Sequence, residues 1–202
     1  GHTITKYRSE QVDLGQQVID VTYVMDEVNG EGALRRTIFP FALRYFYRFE
    51  LELLLRAGMA APSGCNKQTT SLIAVDDPEL LRQLKAVIDS PVGHTAPAMI
   101  LVLTERIIAY DDRTYYIHDY SAAIENMLLA IVGLGYQSCW VEGHITGEDR
   151  IGRQMADILG VPQDRDLICY LPVGVAAEPV KRVRKRPFEQ RAWFNGFGGG
   201  ER

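Results

Sequence analysis

Apolar positions along this chain recur with two different spacings, and the switches between them mark its elements. From Arg48 to Ala60 the residues Leu51, Leu54, Leu55 and Gly58 fall on one face of a helix, and Pro62 closes it. Thr70 to Val75 then reads as a strand. Asp77-Pro78-Glu79 predicts a helix start, since Asp caps, Pro is preset for the first helical position and Glu faces the positive end of the helix dipole; this helix should run to about Ile88. Ala98 to Leu103 is a continuous apolar run after Pro97, short enough for a buried strand. Tyr116 to Gly133 predicts a long helix that is apolar almost all round, which places it in a core or at a subunit interface. Gln137 to Val141 reads as a strand and Glu148 to Leu159 as a helix stopped by Gly160 and Pro162. Leu167 to Val175 reads as a strand in which Pro172 predicts a bulge or an edge.

The two ends are less regular. Val18, Val21, Met25 and Val28 fit a helical stripe, yet Val18 to Val24 is also rich in strand formers, and Asn29-Gly30 ends whichever forms. From Glu178 onward the chain reads as an irregular tail. Alternating strands and helices by themselves favour a parallel α/β sheet.

Composition narrows the functional classes. The 202 residues suit one domain, and 47% hydrophobic residues can supply its core. A formal charge of −4 argues against a general nucleic-acid binder, which would present a basic face. The three cysteines, Cys65, Cys139 and Cys169, are odd in number and widely spaced, so no disulfide framework or CxxC motif is expected. The four histidines show no paired-ligand spacing, and no protein metal site is expected. No apolar run approaches the roughly 18 residues of a membrane span, so we expect a soluble, cytoplasmic protein without a membrane partner.

Chemistry concentrates in five blocks. Ala60-Ala61-Pro62-Ser63-Gly64-Cys65-Asn66-Lys67-Gln68 follows a helix end with small residues and then two side-chain amides, which suits a backbone approaching a flat polar ligand. Arg35-Arg36-Thr37 lies upstream, Asp119 to Ala130 reads DYSAAIENMLLA, Cys139 to Gly143 reads CWVEG, and a basic cluster spans Lys181 to Arg186. In this order the blocks resemble the FMN-dependent nitroreductase family, whose pattern runs RRS, APSxxNxQ, D-x-x-x-A-x-x-N-M-x-L-A and GxGxxW(I/V)xG. The resemblance covers roughly residues 33 to 195, and the 25 positions from Thr37 to Pro62 keep the family's register.

That resemblance implies an α+β, three-layer sandwich, with a central mixed sheet flanked by helices and an intertwined homodimer whose C-terminal tail crosses to the second subunit. The expected division is an N-terminal extension over 1–34 and an FMN-binding domain over 35–202. It implies an oxidoreductase taking hydride from NAD(P)H and reducing a small organic acceptor, such as a nitroaromatic or quinone, by alternating half-reactions. The rival readings are a specialised enzyme of the same superfamily, such as a dehalogenase, a flavin-binding or redox-sensing module without turnover, and a non-flavin α/β protein whose basic tail binds a polyanion. FMN sits at the dimer interface in the family. By position, Arg35, Arg36, Thr37, Arg182 and Arg184 fall to its phosphate and ribityl end. Pro62, Ser63, Asn66 and Gln68 fall to the ring, and Glu142-Gly143 to the backbone facing the reactive ring nitrogen. No side chain is expected to be an essential catalytic base. Asp119, Glu125 and Asn126 are expected to satisfy buried polar partners, across a dimer interface if the helix lies there. The chain departs from the pattern at Phe39, where the family carries a cation, and at Thr69-Thr70, where it carries Pro-Trp.

Overall fold

The computed structural model describes residues 3–13, 18–44, 48–143, 145–148, 150–180 and 183–198, with the side chains of 43 and 44 left aside. Its centre is the antiparallel sheet β4 (Thr70–Val75), β5 (Ala98–Thr104) and β6 (Asp166–Val173), in the order β4-β5-β6. Every residue of β5 is buried, because both faces of this strand are covered. Met99, Leu101 and Leu103 pack with α2 (Pro78–Ala86) and α4 (Ile151–Ile158), through Leu81, Leu84 and Met155. The alternate residues Ala98, Ile100 and Val102 pack with α1 (Arg48–Met59) and α3 (Tyr116–Gly133), through Leu54, Ile124 and Met127. The period of two along one strand therefore builds both helical layers of a three-layer sandwich. All ladders between the described strands are antiparallel, so the mixed character implied by the resemblance is not carried by β4, β5 and β6.

One irregularity keeps β6 in phase with both layers. The register shifts between Val102 and Leu103, which pair with Cys169 and Leu167, and Ile168 becomes the extra residue. Without it Leu167 and Cys169 would face the same way. With it they enter opposite core clusters.

Pro172 interrupts the other side of β6. Gln137 and Gly174 exchange two backbone hydrogen bonds, at 2.7 and 3.2 Å, and Val141 and Tyr170 exchange two more, at 3.2 and 3.0 Å. By register Cys139 would pair with Pro172 between them, but proline has no N–H to give. The expected strand Gln137–Val141 is thus reduced to two isolated bridges.

α2 starts as its sequence dictates: Asp77 Oδ1 accepts the Leu80 N–H at 2.8 Å and Pro78 opens the helix. α4 begins at Ile151 instead of the expected Glu148, because Arg150 sits at its N-cap in a left-handed conformation, φ 57°. α4 also lies very close to β6 at Gly152, whose N–H donates to the Ile145 carbonyl at 2.8 Å. A Cβ added there would sit 2.5 Å from the Leu167 carbonyl oxygen.

The N-terminal residues resolve as strands. β1 (Thr3–Asp13), β2 (Val18–Val28) and β3 (Leu34–Arg44) form a second antiparallel sheet in that order. The Asn29 side chain shapes the turn after β2 by accepting the N–H groups of Glu31 and Ala33, at 3.1 and 2.9 Å. Residues 35–44 accordingly share a ladder with the segment before them.

Candidate functional site

α1 ends at Met59, and the chain turns through Pro62 into a short 3-10 turn, Gly64–Asn66. Three residues of this loop that are not glycine hold left-handed backbone: Cys65 at φ 50°, Asn66 at φ 52° and Gln68 at φ 51°. Asn tolerates this region, but Cys and Gln less so, and residues held in such sparsely populated regions cost about 1–3 kcal/mol each. Internal hydrogen bonds offset part of that. Ser63 Oγ accepts the Gln68 N–H at 3.0 Å, and the Ser63 carbonyl accepts the Asn66 N–H at 3.0 Å.

The rest of the loop's support comes from α3. Asp119, 4% exposed, accepts the Gly64 N–H on Oδ1 and the Thr69 hydroxyl on Oδ2, each at 2.7 Å. Gly64 also lies flat against Tyr115, where an added Cβ would come within 2.6 Å of the tyrosine Cβ. The side-chain amides of Asn66 and Gln68 are left exposed, with no hydrogen bond to any described residue. Thr70 Oγ1 is buried and unpaired, and with Ser63 and Gln68 it borders a cleft of about 70 Å³.

The next residue of α3 fixes the second segment. Tyr120 donates its hydroxyl to Glu142 Oε1 at 2.9 Å, and Trp140 Nε1 donates to Glu142 Oε2 at 2.8 Å. Burial, with the Glu142 carboxylate beside it, pushes the Tyr120 phenol well above its ordinary pKa, so this hydroxyl stays a donor at any physiological pH. The Glu142 side chain is thereby committed within the chain. The backbone N–H groups of Glu142 and Gly143 donate to no described residue, and a Cβ on Gly143 would meet nothing within 4 Å. Adjacent residues of α3 thus tie down the loop that carries Pro62, Ser63, Asn66 and Gln68 and the segment that carries Glu142-Gly143, both expected around the ring.

The expected phosphate residues are placed differently. Arg35, Arg36 and Thr37 lie on β3, where alternation sends Arg36 to the opposite face from Arg35 and Thr37. Arg36 grips Asp26 with two hydrogen bonds, at 2.7 and 2.6 Å. Its guanidinium holds the Asp26 carboxyl below the usual carboxylate range. Arg184 is exposed in the C-terminal tail, and Arg182 falls outside the described residues. Among the described residues, Arg35, Arg36, Thr37 and Arg184 make no hydrogen bond to the loop. Phe39, aligned with a family cation, stands in β3 opposite Tyr23.

The residues expected at the ring edge fit a flavin's chemistry. Free amides offer donors and acceptors to a polar ring edge, the unpaired Thr70 hydroxyl borders the same loop, and unpaired backbone N–H groups stand at an open glycine. The phosphate end requires cations, and among the described residues the loop itself carries Lys67. Asp119, expected to satisfy buried polar partners, does so within its own chain, toward Gly64 and Thr69. Its signal was present, because a carboxylate on a nearly all-apolar helix needs donors. The partner 50 residues away was not legible. Asn126, expected to satisfy a buried partner, donates to the Ala57 carbonyl at 3.1 Å and ties α3 to α1 within the same chain.

Comparison with known proteins gives concordant results. The model of the nitroreductase family matches residues 85–175. A curated relative from Archaeoglobus fulgidus, named "Putative NADH dehydrogenase/NAD(P)H nitroreductase", is 32% identical over 141 residues, covering 69% of this chain and 80% of its own. An FMN-dependent nitroreductase from Clostridium difficile superposes with a TM-score of 0.62 at 24% identity, over 75% of this chain and 90% of its own. A nitroreductase with bound FMN from Bacteroides fragilis gives a TM-score of 0.59 at 24% identity, over 75% and 89% of the two chains.

Proposed function

Because the chain belongs to the nitroreductase family, we propose that it is an FMN-dependent oxidoreductase that takes hydride from NAD(P)H and reduces a small organic acceptor of the nitroaromatic or quinone class. Bound FMN would supply the redox chemistry, accepting electrons from the nicotinamide and passing them to the acceptor. The protein's part is to bind and orient. Asn66 and Gln68 would hold the ring edge through their free amides, with Pro62 and Ser63 as the small residues where the loop backbone approaches the ring. The N–H groups at Glu142 and Gly143 would face the ring from the other segment, and Gly143 leaves the approach open. No side chain is required as an essential base. The observation that carries this reading is the loop itself, with two unpaired amides held in left-handed backbone and anchored on α3, as the Glu142–Gly143 segment is.

We assign the phosphate end to Arg35, Thr37 and Arg184, joined by Arg182, in a site completed by a second copy of the chain. α3 supports the dimer. Its inner face lies in the core, while Ile117, Leu129 and Val132 remain exposed, and neighbouring α1 adds exposed Phe49, Leu53 and Met59. An apolar face of this extent on paired helices suits a subunit interface. Arg36 has a smaller role in this assignment, being neutralised by Asp26.

The purified protein should be yellow, with about one flavin per chain, and heat denaturation should release FMN and not FAD. Anaerobic addition of NADH or NADPH should bleach it, and the acceptor should restore the colour. A colourless protein that takes up no added FMN would overturn the assignment. Flavin that neither nucleotide bleaches would mark a binding module without turnover.

Arg35→Ala and Arg184→Ala should each weaken FMN binding by about 1.5–3 kcal/mol, the worth of a hydrogen bond to a charged group. Riboflavin, which lacks the phosphate, should bind the variants almost as it binds the parent. Fluorescence titration with both flavins makes the comparison, and equal losses would show that these arginines act on the fold and not on the phosphate.

A further inference from the structure

Asp119 stands on α3, but both of its donors come from the loop after α1. Gly64 opens that loop and Thr69 closes it. Between them lie Cys65, Asn66, Lys67 and Gln68, three of which are left-handed. Thr69 is 2% exposed and Asp119 4%, so little water reaches either contact. One carboxylate thus fastens both ends of the segment that displays the free amides.

We propose that Asp119 is the positioning residue of this site: with Thr69 it fixes the 64–69 loop in its ligand-accepting shape before any ligand arrives. The identity of that ligand as a flavin rests on the reading above, whereas the clamp itself belongs to the protein without ligand. Two features distinguish it from an ordinary tie between helices. Its donors are a loop backbone and a loop-end hydroxyl, not groups of α1. It also holds the loop against the tendency of Cys65 and Gln68 to leave the left-handed region. Preorganisation of this kind raises affinity by removing the ordering cost of binding.

Side-chain chemistry separates the variants. Asp119→Asn keeps both contacts, since the amide oxygen can accept the Gly64 N–H while its NH2 donates to a rotated Thr69 hydroxyl. Asp119→Ala keeps neither, and Thr69→Val removes one without changing shape. Hydrogen exchange of residues 62–69 in the flavin-free protein, together with titration by FMN and riboflavin, tests the clamp. In Asp119→Ala, exchange in this loop should rise at least about tenfold, and both flavins should weaken by the same factor of about ten or more. Asp119→Asn should stay within about threefold of the parent in both readouts, and Thr69→Val should fall between them. If Asp119→Ala does not fold, Thr69→Val carries the test alone.

Unchanged loop exchange in the folded variants would overturn the proposal. So would a loosened loop with unchanged flavin affinities, because Asp119 would then be structural only. A parent protein that binds neither flavin would overturn the functional reading instead, and the exchange measurements on flavin-free protein would still decide the clamp.

Discussion

Gly152→Ala should lower the melting temperature by about 6–12 °C, from a destabilisation of about 3 kcal/mol in a domain of this size. The added methyl would lie 2.5 Å from the Leu167 carbonyl oxygen and 3.0 Å from that of Ile145, and both obstacles are backbone. No rotamer change relieves such a contact, so α4 must shift away from β6. The shift would strain the hydrogen bond from Gly152 N–H to Ile145 and loosen the segment that leads back to Glu142. Gly133→Ala is the matched control. Its Cβ would meet nothing within 4 Å, and alanine in a helix is favoured over glycine by about 0.5–1 kcal/mol, so that variant should melt at or slightly above the parent temperature. Differential scanning calorimetry of the two variants decides the matter, and a fall of less than about 2 °C in Gly152→Ala would mean that α4 slides freely on the sheet.

Gly64→Ala should weaken FMN and riboflavin together, by about tenfold or more, while leaving the secondary structure intact. Its methyl would meet the Cβ, Cγ and Cδ2 atoms of Tyr115 at 2.6–2.8 Å. Overpacking of this degree costs about 1–3 kcal/mol, and here the loop is the part most easily displaced. Displacement would pull the Gly64 N–H off Asp119 and swing Asn66 and Gln68 out of place. A double variant supplies the check. Tyr115 occupies the N-cap of α3, where glycine is tolerated, so Gly64→Ala with Tyr115→Gly should recover much of the lost affinity. Simple addition of the two single losses would show that the steric contact is not the cause.

Legibility in the sequence followed the range of the forces involved. Thr70–Val75 and Tyr116–Gly133 formed over the expected residues, because a short segment with Thr70, Ile73 and Val75 and a long apolar helix each declare themselves locally. The Asp77-Pro78 start was legible for the same reason: cap and capped group lie three residues apart. Gln137–Val141 was not, since the residue that divides its ladder is Pro172, more than 30 positions away. The loop at Pro62–Gln68 stood out by its composition, but its anchor on Asp119 depends on packing α3 against it. Arg35-Arg36-Thr37 stood out as a cluster, but its sorting belongs to the strand: alternate residues share a face, so Arg35 and Thr37 point one way and Arg36 the other, to Asp26.

The proline in β6 has a consequence for the solubility of the protein. Beyond β6 the outermost backbone on that side of the central sheet, among the described residues, is the Gln137–Val141 segment, held by two bridges with a gap at Cys139. A continuous strand in that position would offer a long row of unpaired rungs, and such a row is a template on which foreign or partly folded chains can stack. Pro172 denies the sheet that flat border. The missing N–H that breaks one ladder inside the molecule thereby protects it from growing an unwanted one outside.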